Sequence, residues 1–171
     1  MLVAGVDEAG RGAAIGPLVI AGVLVKEEDL PKLKEIGVKD SKLLSPHRRE
    51  TLAAEIKRIV QSYALEKLQP REIDVAVRSG RKLHKLNRLE AQTMAKVIEA
   101  LRPDRVYVDA ADVLEDRFKH HILECMPHRV KIVSEHKADR RYPIVSAASI
   151  MAKVRRDAAI SALWEEYGNF G

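Results

Sequence analysis

The chain has 171 residues, of which 46% are apolar and 32% charged, and its formal net charge is +5 at pH 7. This length and balance are typical of one globular domain, and no apolar run reaches the roughly eighteen residues that a membrane span needs. The single cysteine, Cys125, excludes an internal disulfide and a cysteine-rich zinc site, so we expect a reducing, cytoplasmic setting.

The first half of the chain predicts a hairpin, a helix and a third strand. Two apolar, β-branched runs at 2–6 and 17–25 are bounded by glycines and joined by a tight turn, which indicates an antiparallel pair. Ser45 as N-cap, with a proline directly after it, predicts a helix over 46–63. The short run 64–68 predicts a further strand.

The second half alternates helices with strands. The predicted elements are a helix over 85–101, a strand over 105–110, a helix over 113–126, a strand over 129–136 and a helix over about 145–167. Strands that are separated by helices are usually parallel, whereas the first two are predicted to be antiparallel. We therefore predict an α/β fold with a central mixed sheet flanked by helices.

Three of the predicted strands lead into acidic side chains. The first strand ends in Asp7 and Glu8, a later one carries Asp109, and the last leads through Glu135 to Asp139. The ends of parallel strands meet at one edge of a sheet, where gathered carboxylates repel one another unless a cation lies between them. Oxygen ligands of this kind suit Mg²⁺ and Mn²⁺.

A simpler interpretation is that each acid is a solvated loop residue or a helix cap, the usual role of a single aspartate near a strand end. This is less favoured for Asp7 and Glu8, because the residues before them are apolar and Arg11 is the only nearby basic residue. Neighbours on a regular strand point to opposite faces, so we expect the strand to bend at the two acids. Gly10 and Gly12 allow such a bend at low energetic cost.

The positive charge is gathered in clusters rather than spread evenly. The basic clusters lie at 47–50, 78–88, 139–141 and 153–157. On charge alone, a solubilising surface and a nucleic-acid-binding surface are equally consistent. A bound polyanion would be held mostly through its phosphates. The sequence lacks a P-loop, a dinucleotide fingerprint and a nucleophile elbow, which disfavours those classes of enzyme.

Five segments, in order along the chain, form a specific combination. They read "GVDEAGRGAAIGPLVIAGV", "VKDSKLLS", "LNRLEA", "YVDAAD" and "EHKADRRYPIVSAASIMAKVRRD". Together they closely resemble type 2 ribonuclease H (ribonuclease HII), especially its archaeal-type members, from residue 3 to about 168. The resemblance implies a ribonuclease-H-like fold. It also implies an endonuclease that cleaves RNA in RNA–DNA hybrids and incises duplex DNA at embedded ribonucleotides, leaving 3′-hydroxyl and 5′-phosphate ends.

The resemblance further implies a metal site with Mg²⁺ or Mn²⁺. Asp7, Glu8, Asp109 and Asp139 match the four catalytic and metal-binding acids of the family, whereas Glu135 has no catalytic role in the motif. In a two-metal site, one cation activates water and the other stabilises the leaving oxygen during in-line displacement. Asp7 is the expected bridging ligand.

Substrate contacts are implied in the same way. Backbone groups of Gly10, Arg11 and Gly12 are expected beside the 2′-hydroxyl at the RNA–DNA junction, which glycine permits by close approach. A plain turn after a strand explains these glycines equally well without the family match. Lys42 of "DSK" is expected to contact a phosphate.

A polar stripe is predicted on the last helix. Ser146, Ser149 and Lys153 fall on one helical face, and both a solvated helix surface and phosphate contact account for them. Asp112 lies close to Asp109 and is expected to cap a helix.

Two departures from the family pattern bear on function. Ala13 stands where many relatives have proline, which we expect to loosen the loop slightly. Relatives continue through a Gly-x-Gly-Tyr segment whose tyrosine packs against a sugar, and neither Tyr167 nor Phe170 aligns with it. We therefore expect a single catalytic domain over 1–171 that lacks the C-terminal helical segment, with weakened activity or relaxed junction preference.

Two other functions are left open. A resolvase-like or transposase-like nuclease would share the acids but would not need "GRG" or "DSK". A non-catalytic nucleic-acid binder would use the basic clusters alone and would bind in a salt-sensitive manner, indifferent to Mg²⁺. The motifs favour the ribonuclease H, acting as a monomer on RNA–DNA hybrids and ribonucleotide-containing duplex DNA, without membrane association.

Overall fold

The computed structural model describes residues 1–13, 15–78 and 82–168, except for the side chains of residues 82 and 83. Within these ranges the sheet has five strands: β1 (Leu2–Ala9), β2 (Leu18–Lys26), β3 (Ser62–Leu68), β4 (Arg105–Asp109) and β5 (Lys131–Glu135). Their order across the sheet is β3-β2-β1-β4-β5.

The sheet is mixed, as predicted. β2 pairs antiparallel with β1 and with β3, whereas β4 pairs parallel with β1 and with β5. The early hairpin and the later helical crossovers therefore have the predicted directions. This arrangement brings the carboxyl ends of β1, β4 and β5 to the same edge of the sheet.

The helices confirm most of the pattern, with shifted ends and additions. They are α1 (Leu30–Glu35), α2 (Pro46–Ile59), α3 (Pro70–Val77), α4 (Lys82–Leu101), α5 (Glu115–Glu124), α6 (Ala138–Arg141) and α7 (Pro143–Tyr167), with 3-10 turns at Glu27–Asp29 and Ser41–Leu43. Ser45 caps α2 as predicted, since its Oγ accepts a hydrogen bond from the backbone N–H of Arg48 at 3.1 Å. The short helices α1, α3 and α6 have too few turns for the apolar periodicity to reveal them.

Apolar side chains cover both faces of the sheet. On one face, Val19 and Val23 of β2 belong to a buried cluster with α2 and α7. On the other, Val6 and Ile20 belong to a second cluster with α4 and α5. Successive strand residues point to opposite faces, so β1 and β2 contribute to both clusters and lie at the centre of the protein.

Helix α7 packs unusually close to β1. A Cβ atom at Gly5 would collide with the backbone of Ile144 and Val145 at the start of this helix. The first half of the helix, through Ala152, is buried, whereas Tyr167 near its end is 72% exposed. Close packing at Gly5 fixes where α7 passes the carboxyl edge of the sheet.

Across the described ranges, no helix combines the length and the apolar character that a bilayer crossing requires. Phe170, considered above for a sugar contact, lies outside the described residues.

Candidate metal centre

The acids meet where β1 and β4 end. Val6 is paired in parallel with Val108, so the next residues, Asp7 and Asp109, lie side by side at the carboxyl edge. Asp139 comes from α6, just beyond β5, and its backbone N–H donates to Asp109 Oδ2 at 3.4 Å. One carboxylate oxygen from each of Asp7, Asp109 and Asp139 lies within 4.8 Å of the other two.

Glu8 lines the same cleft but lies outside this three-residue cluster. Pairing with β2 continues in register through Asp7, Glu8 and Ala9, which face Ala21, Ile20 and Val19. The predicted bend at the acids is therefore wrong, because the hydrogen-bonded ladder keeps the strand regular until Ala9. The chain turns only at Gly10.

Burial and mutual repulsion change how these acids titrate. Burial, together with the charges of Glu8 and Asp109, raises the pKa of Asp7 well above its usual value. Burial also raises the pKa of Glu8. For Asp109, burial and the charges of Glu8 and Asp139 raise the pKa to about 7. The cluster therefore retains protons near neutral pH unless a cation compensates its charge.

This donor set fits a hard divalent cation. The clustered groups are carboxylates, and Oε2 of Glu8 is buried without a hydrogen-bond partner among the described residues. Mg²⁺ is typically held by one or two carboxylates together with water and substrate phosphates. The cleft has a volume of about 550 Å³, which leaves room for a phosphate beside the acids.

A tight turn carries Gly10, Arg11 and Gly12 along the cleft. The backbone N–H of Ala13 donates to the Gly10 carbonyl at 3.3 Å. Gly10 and Gly12 have φ angles of 91° and 73°, which glycine adopts without strain. A Cβ atom at Gly10 would also collide with the guanidinium group of Arg156 on α7. The φ angles and the contact with Arg156 agree with the plain-turn explanation, and close approach of a 2′-hydroxyl stays a prediction.

The side chain of Arg11 turns toward the protein interior. Its guanidinium group donates to the carbonyl of Ala111 and to Oδ1 of Asn87, and its Nε lies 3.5 Å from Oε1 of Glu90. The glycines of the turn therefore line the cleft, whereas the Arg11 side chain binds groups in the protein interior.

The 3-10 turn at Ser41–Leu43 places Lys42 at the rim. Lys42 lines the cleft, and Asp40 holds the turn by accepting from the backbone N–H of Lys42 at 3.0 Å and from Nε of Arg140 at 3.0 Å. Because Arg140 follows Asp139 directly, one short helix positions both a carboxylate of the cluster and the segment that carries Lys42.

The polar stripe of α7 divides into two parts. Ser149 and Lys153 line the acid cleft, whereas Ser146 lines a neighbouring groove. Ser146 and Ser149 are 1% and 5% exposed, so the solvated-face interpretation is wrong for both, because this half of the helix is buried on all sides. The Ser149 hydroxyl lies 3.1 Å from Ser41 Oγ, and its interaction with Asp7 lowers the pKa of that carboxyl group against the effect of burial. It therefore orients a carboxylate of the cluster.

Two further acids lie outside the cluster, as expected. Glu135 accepts hydrogen bonds from Tyr142 and Arg141. Asp112 is buried, accepts from the backbone N–H of Leu114 at 3.1 Å and pairs with Arg117. Leu114, rather than Asp112, is the N-cap of α5, so the helix-cap prediction is wrong in position, although Asp112 does bind the segment that leads into the helix.

The cleft also contains residues to which the sequence assigned no role. Lys137 and Arg156 line it, and Lys137 has a left-handed backbone with φ of 56° directly before α6. Glu90 lies behind the cleft and is fully buried. A signal for Glu90 was present, because it lies four residues from both Leu86 and Met94, on the apolar face of the predicted helix.

Comparison with known proteins agrees with this geometry. Residues 4–171 match the family described as Ribonuclease HII. A Ribonuclease HII of Pyrococcus furiosus is 48% identical over 173 aligned residues, which cover 100% of this chain and 75% of the relative.

Solved structures show the same fold. The ribonuclease H2 of Pyrococcus horikoshii OT3 has a TM-score of 0.90 at 45% identity, covering 100% of this chain and 79% of that chain. Bst-RNase HIII, solved in complex with Mn²⁺, has a TM-score of 0.80 at 26% identity, covering 98% and 56%. The predicted ribonuclease-H-like fold is confirmed, and the chain belongs to the ribonuclease HII family.

Proposed function

We propose that the protein is an endonuclease that hydrolyses RNA in RNA–DNA hybrids and incises duplex DNA at embedded ribonucleotides. Membership of the ribonuclease HII family supports hydrolysis of this kind. The observation that carries the proposal is the convergence of Asp7, Asp109 and Asp139, with ligand oxygens within 4.8 Å of one another. A non-catalytic binder would have no need to bury and gather like charges in this way.

We propose Asp7, Glu8, Asp109 and Asp139 as the metal ligands and catalytic acids, with Mg²⁺ or Mn²⁺ as the cofactor. When bound, two such cations supply an activated water and stabilise the leaving oxygen, which accounts for 3′-hydroxyl and 5′-phosphate products. The Mn²⁺ complex of Bst-RNase HIII supports Mn²⁺ as one suitable ion.

The chain's own residues prepare this site. Asp7, which would hold a cation, is only 5% exposed, so its carboxylate is largely shielded from bulk water. The Ser149 hydroxyl orients Asp7, and the Asp139 backbone N–H binds Asp109. These contacts fix the carboxylates before a substrate arrives, so little reorganisation accompanies the reaction.

We propose that the surrounding residues hold the nucleic acid. Lys42 and Lys153 line the same cleft as the acids and supply charge for phosphates. The backbone of Gly10, Arg11 and Gly12 supplies the contact with the 2′-hydroxyl, the group that distinguishes RNA from DNA. Ser149 is proposed to act beside the substrate, and Ser146 to act in the adjoining groove.

The wider assignment is also a proposal. We propose that residues 1–171 work as one catalytic domain, since a single sheet supplies both the core and the site. We propose a monomer, which size-exclusion chromatography with light scattering would test. The exposed free Cys125 fits a reducing compartment such as the cytoplasm.

A pair of duplexes tests the function. One carries a single ribonucleotide, and the other has the same sequence entirely in DNA. We expect incision of the first duplex at the ribonucleotide in Mg²⁺ or Mn²⁺, and none after chelation by EDTA. Equal cleavage of the all-DNA duplex, or of an all-DNA branched substrate, would favour the resolvase-like alternative. Salt-sensitive binding without cleavage in either metal would favour the non-catalytic binder.

A further inference from the structure

Arg11 connects three parts of the protein that are distant in sequence. It belongs to the turn after β1, and its guanidinium group reaches the carbonyl of Ala111 in the segment after β4 and the side chains of Asn87 and Glu90 on α4. The segments after β1 and β4 follow directly on the acids Asp7, Glu8 and Asp109. One side chain therefore ties together the two strand ends that build the metal centre.

The partners of Arg11 on α4 are deeply buried. Asn87 is 2% exposed and Glu90 is 0% exposed. Neither carboxyl oxygen of Glu90 has a hydrogen-bond partner among the described residues, and the Arg11 guanidinium group lies 3.5 Å from Oε1 of this buried group. Burying a carboxyl group beside Glu8 is unfavourable, and burial with the charge of Glu8 raises the pKa of Glu90 to about 8.

The side chain of Arg11 and the glycines on either side of it contact different parts of the molecule. All three nitrogens of the Arg11 guanidinium group are engaged on the protein side, and the side chain is 24% exposed. Gly10 and Gly12, which have no side chain, line the cleft with their backbone. Arg156 packs against Gly10 from the side of α7. The turn is therefore held from two directions, and its backbone is left facing the cleft.

We propose that Asn87 and Glu90 are positioning residues for ribonucleotide recognition, which hold the Arg11 side chain so that the backbone of the turn is presented to a 2′-hydroxyl. This inference rests on the proposed function. It gives Arg11 a role as an anchor, whereas a phosphate contact by its side chain would leave the buried carboxyl group of Glu90 and the amide oxygen of Asn87 without the guanidinium group beside them. The planar guanidinium fork suits this role because it binds several acceptors in a fixed geometry, which lysine cannot do.

Two substitutions test the anchor from its two ends. Glu90→Gln keeps the shape but replaces the carboxyl group beside Arg11 with an amide, and Arg11→Lys keeps the positive charge but removes the planar fork. Glu99→Gln on the same helix and Arg105→Lys, whose side chain is 25% exposed, are the matched controls. Circular dichroism and thermal melting establish that each variant is folded.

The readout is preference for the 2′-hydroxyl. KM and kcat are measured on the single-ribonucleotide duplex, and the inhibition constant Ki is measured for the matched all-DNA duplex as a competitor. We expect Glu90→Gln and Arg11→Lys each to lower the ratio Ki/KM about tenfold, with Ki itself unchanged within about twofold. The ratio Ki/KM of the double variant is expected to fall no further than that of either single variant, because both changes release the same anchor. The two controls keep the wild-type ratio.

Several outcomes overturn the inference. An unchanged Ki/KM ratio in folded Arg11→Lys and Glu90→Gln removes the positioning role. Weaker binding of both duplexes to the same extent in an Arg11 variant assigns its side chain to phosphate contact instead. If Glu90→Gln does not fold, the ratio Ki/KM of Arg11→Lys alone tests the inference, because that substitution leaves Glu90 and the core around it unchanged in sequence. A wild-type protein with no preference between the duplexes would refute the proposed function itself, which is a separate result.

Discussion

Asp109 and Asp112 lie in one short segment, but their surroundings have opposite effects on them. Burial and neighbouring acids raise the pKa of Asp109 to about 7. Arg117 and the backbone N–H of Leu114 lower the pKa of Asp112 to about 2. Asp112 is therefore a stable carboxylate that fastens the segment after β4 to α5, whereas Asp109 needs a cation to be stable as a carboxylate near neutral pH.

Asp112 gives a pH-dependent test of stability. Its folded-state pKa lies below the usual 3.8, so its contribution is fully present above about pH 4 and is lost as the pH falls towards about 2. We expect Asp112→Asn to lower the free energy of unfolding by about 1–2 kcal/mol near pH 7. This range allows for the partial exposure of Arg117, because solvent weakens its ion pair with Asp112. Urea unfolding at several pH values measures this.

The exposed Asp116 on α5 provides the control for that experiment. Asp116→Asn is expected to change stability by less than about 0.5 kcal/mol at every pH. A penalty for Asp112→Asn that stays the same from pH 7 down to about pH 2 would show that the carboxylate charge is not what stabilises this segment.

Individual residues show how far sequence reasoning reaches. Asp7, Asp109 and Asp139 were found because acids at strand ends gather at one edge once the strands are parallel. Glu90 was not found, since periodicity places it on the apolar face of α4 but says nothing of Arg11, far away in sequence, whose guanidinium group lies beside it. A buried polar pair is a tertiary contact and has no local signature.

At the scale of elements, β1 and α7 depend on one close approach. The atoms nearest to a Cβ at Gly5 belong to the backbone of α7, whereas those nearest to a Cβ at Gly22 belong to the side chains of Val97, Leu101 and Val6. Side chains can adjust to an added methyl group more readily than a packed helix backbone can.

Alanine substitution tests this difference. We expect Gly5→Ala to lower the free energy of unfolding by about 3 kcal/mol, and Gly22→Ala by about 1 kcal/mol. Denaturant unfolding of both variants measures the two losses. Because α7 carries Ser149 and Lys153, the displaced helix in folded Gly5→Ala should also reduce cleavage. Equal losses of stability in the two variants would mean that the helix backbone can move away from β1 without cost.

Helices and strands could be predicted where the local sequence pattern agrees with how the element packs in the folded protein. The capped helix α2 and the strands have clear local signals, and the structure confirms them. Of the two interpretations of the polar stripe on α7, the solvated face is wrong at Ser146 and Ser149, because amphipathic patterning assumes one solvent-facing side. The first half of this helix instead lies between the sheet, α2 and the Ser41–Leu43 turn, which no property of its own sequence specifies.

At the scale of the whole molecule, the parallel pairing of β4 with β1 and β5 brings the clustered acids together. Antiparallel pairing at either place would send Asp109 or the segment leading to Asp139 to the opposite edge. The mixed sheet could be predicted from the order of strands and helices. The regular ladder through Asp7 and Glu8 could not, since glycines near a strand end indicate a bend without fixing where it begins.

The most direct test of the central claim is cleavage of a single-ribonucleotide duplex by Asp7→Asn in saturating Mg²⁺. Asn is close in size and cannot bridge two cations, so we expect kcat to fall by about a thousandfold or more. The dissociation constant for an RNA–DNA hybrid should change by less than about threefold, and Asp116→Asn should cleave like the wild type. Substantial cleavage by Asp7→Asn at saturating Mg²⁺ would contradict the account, since the buried acid at the centre of the cluster would then not be required.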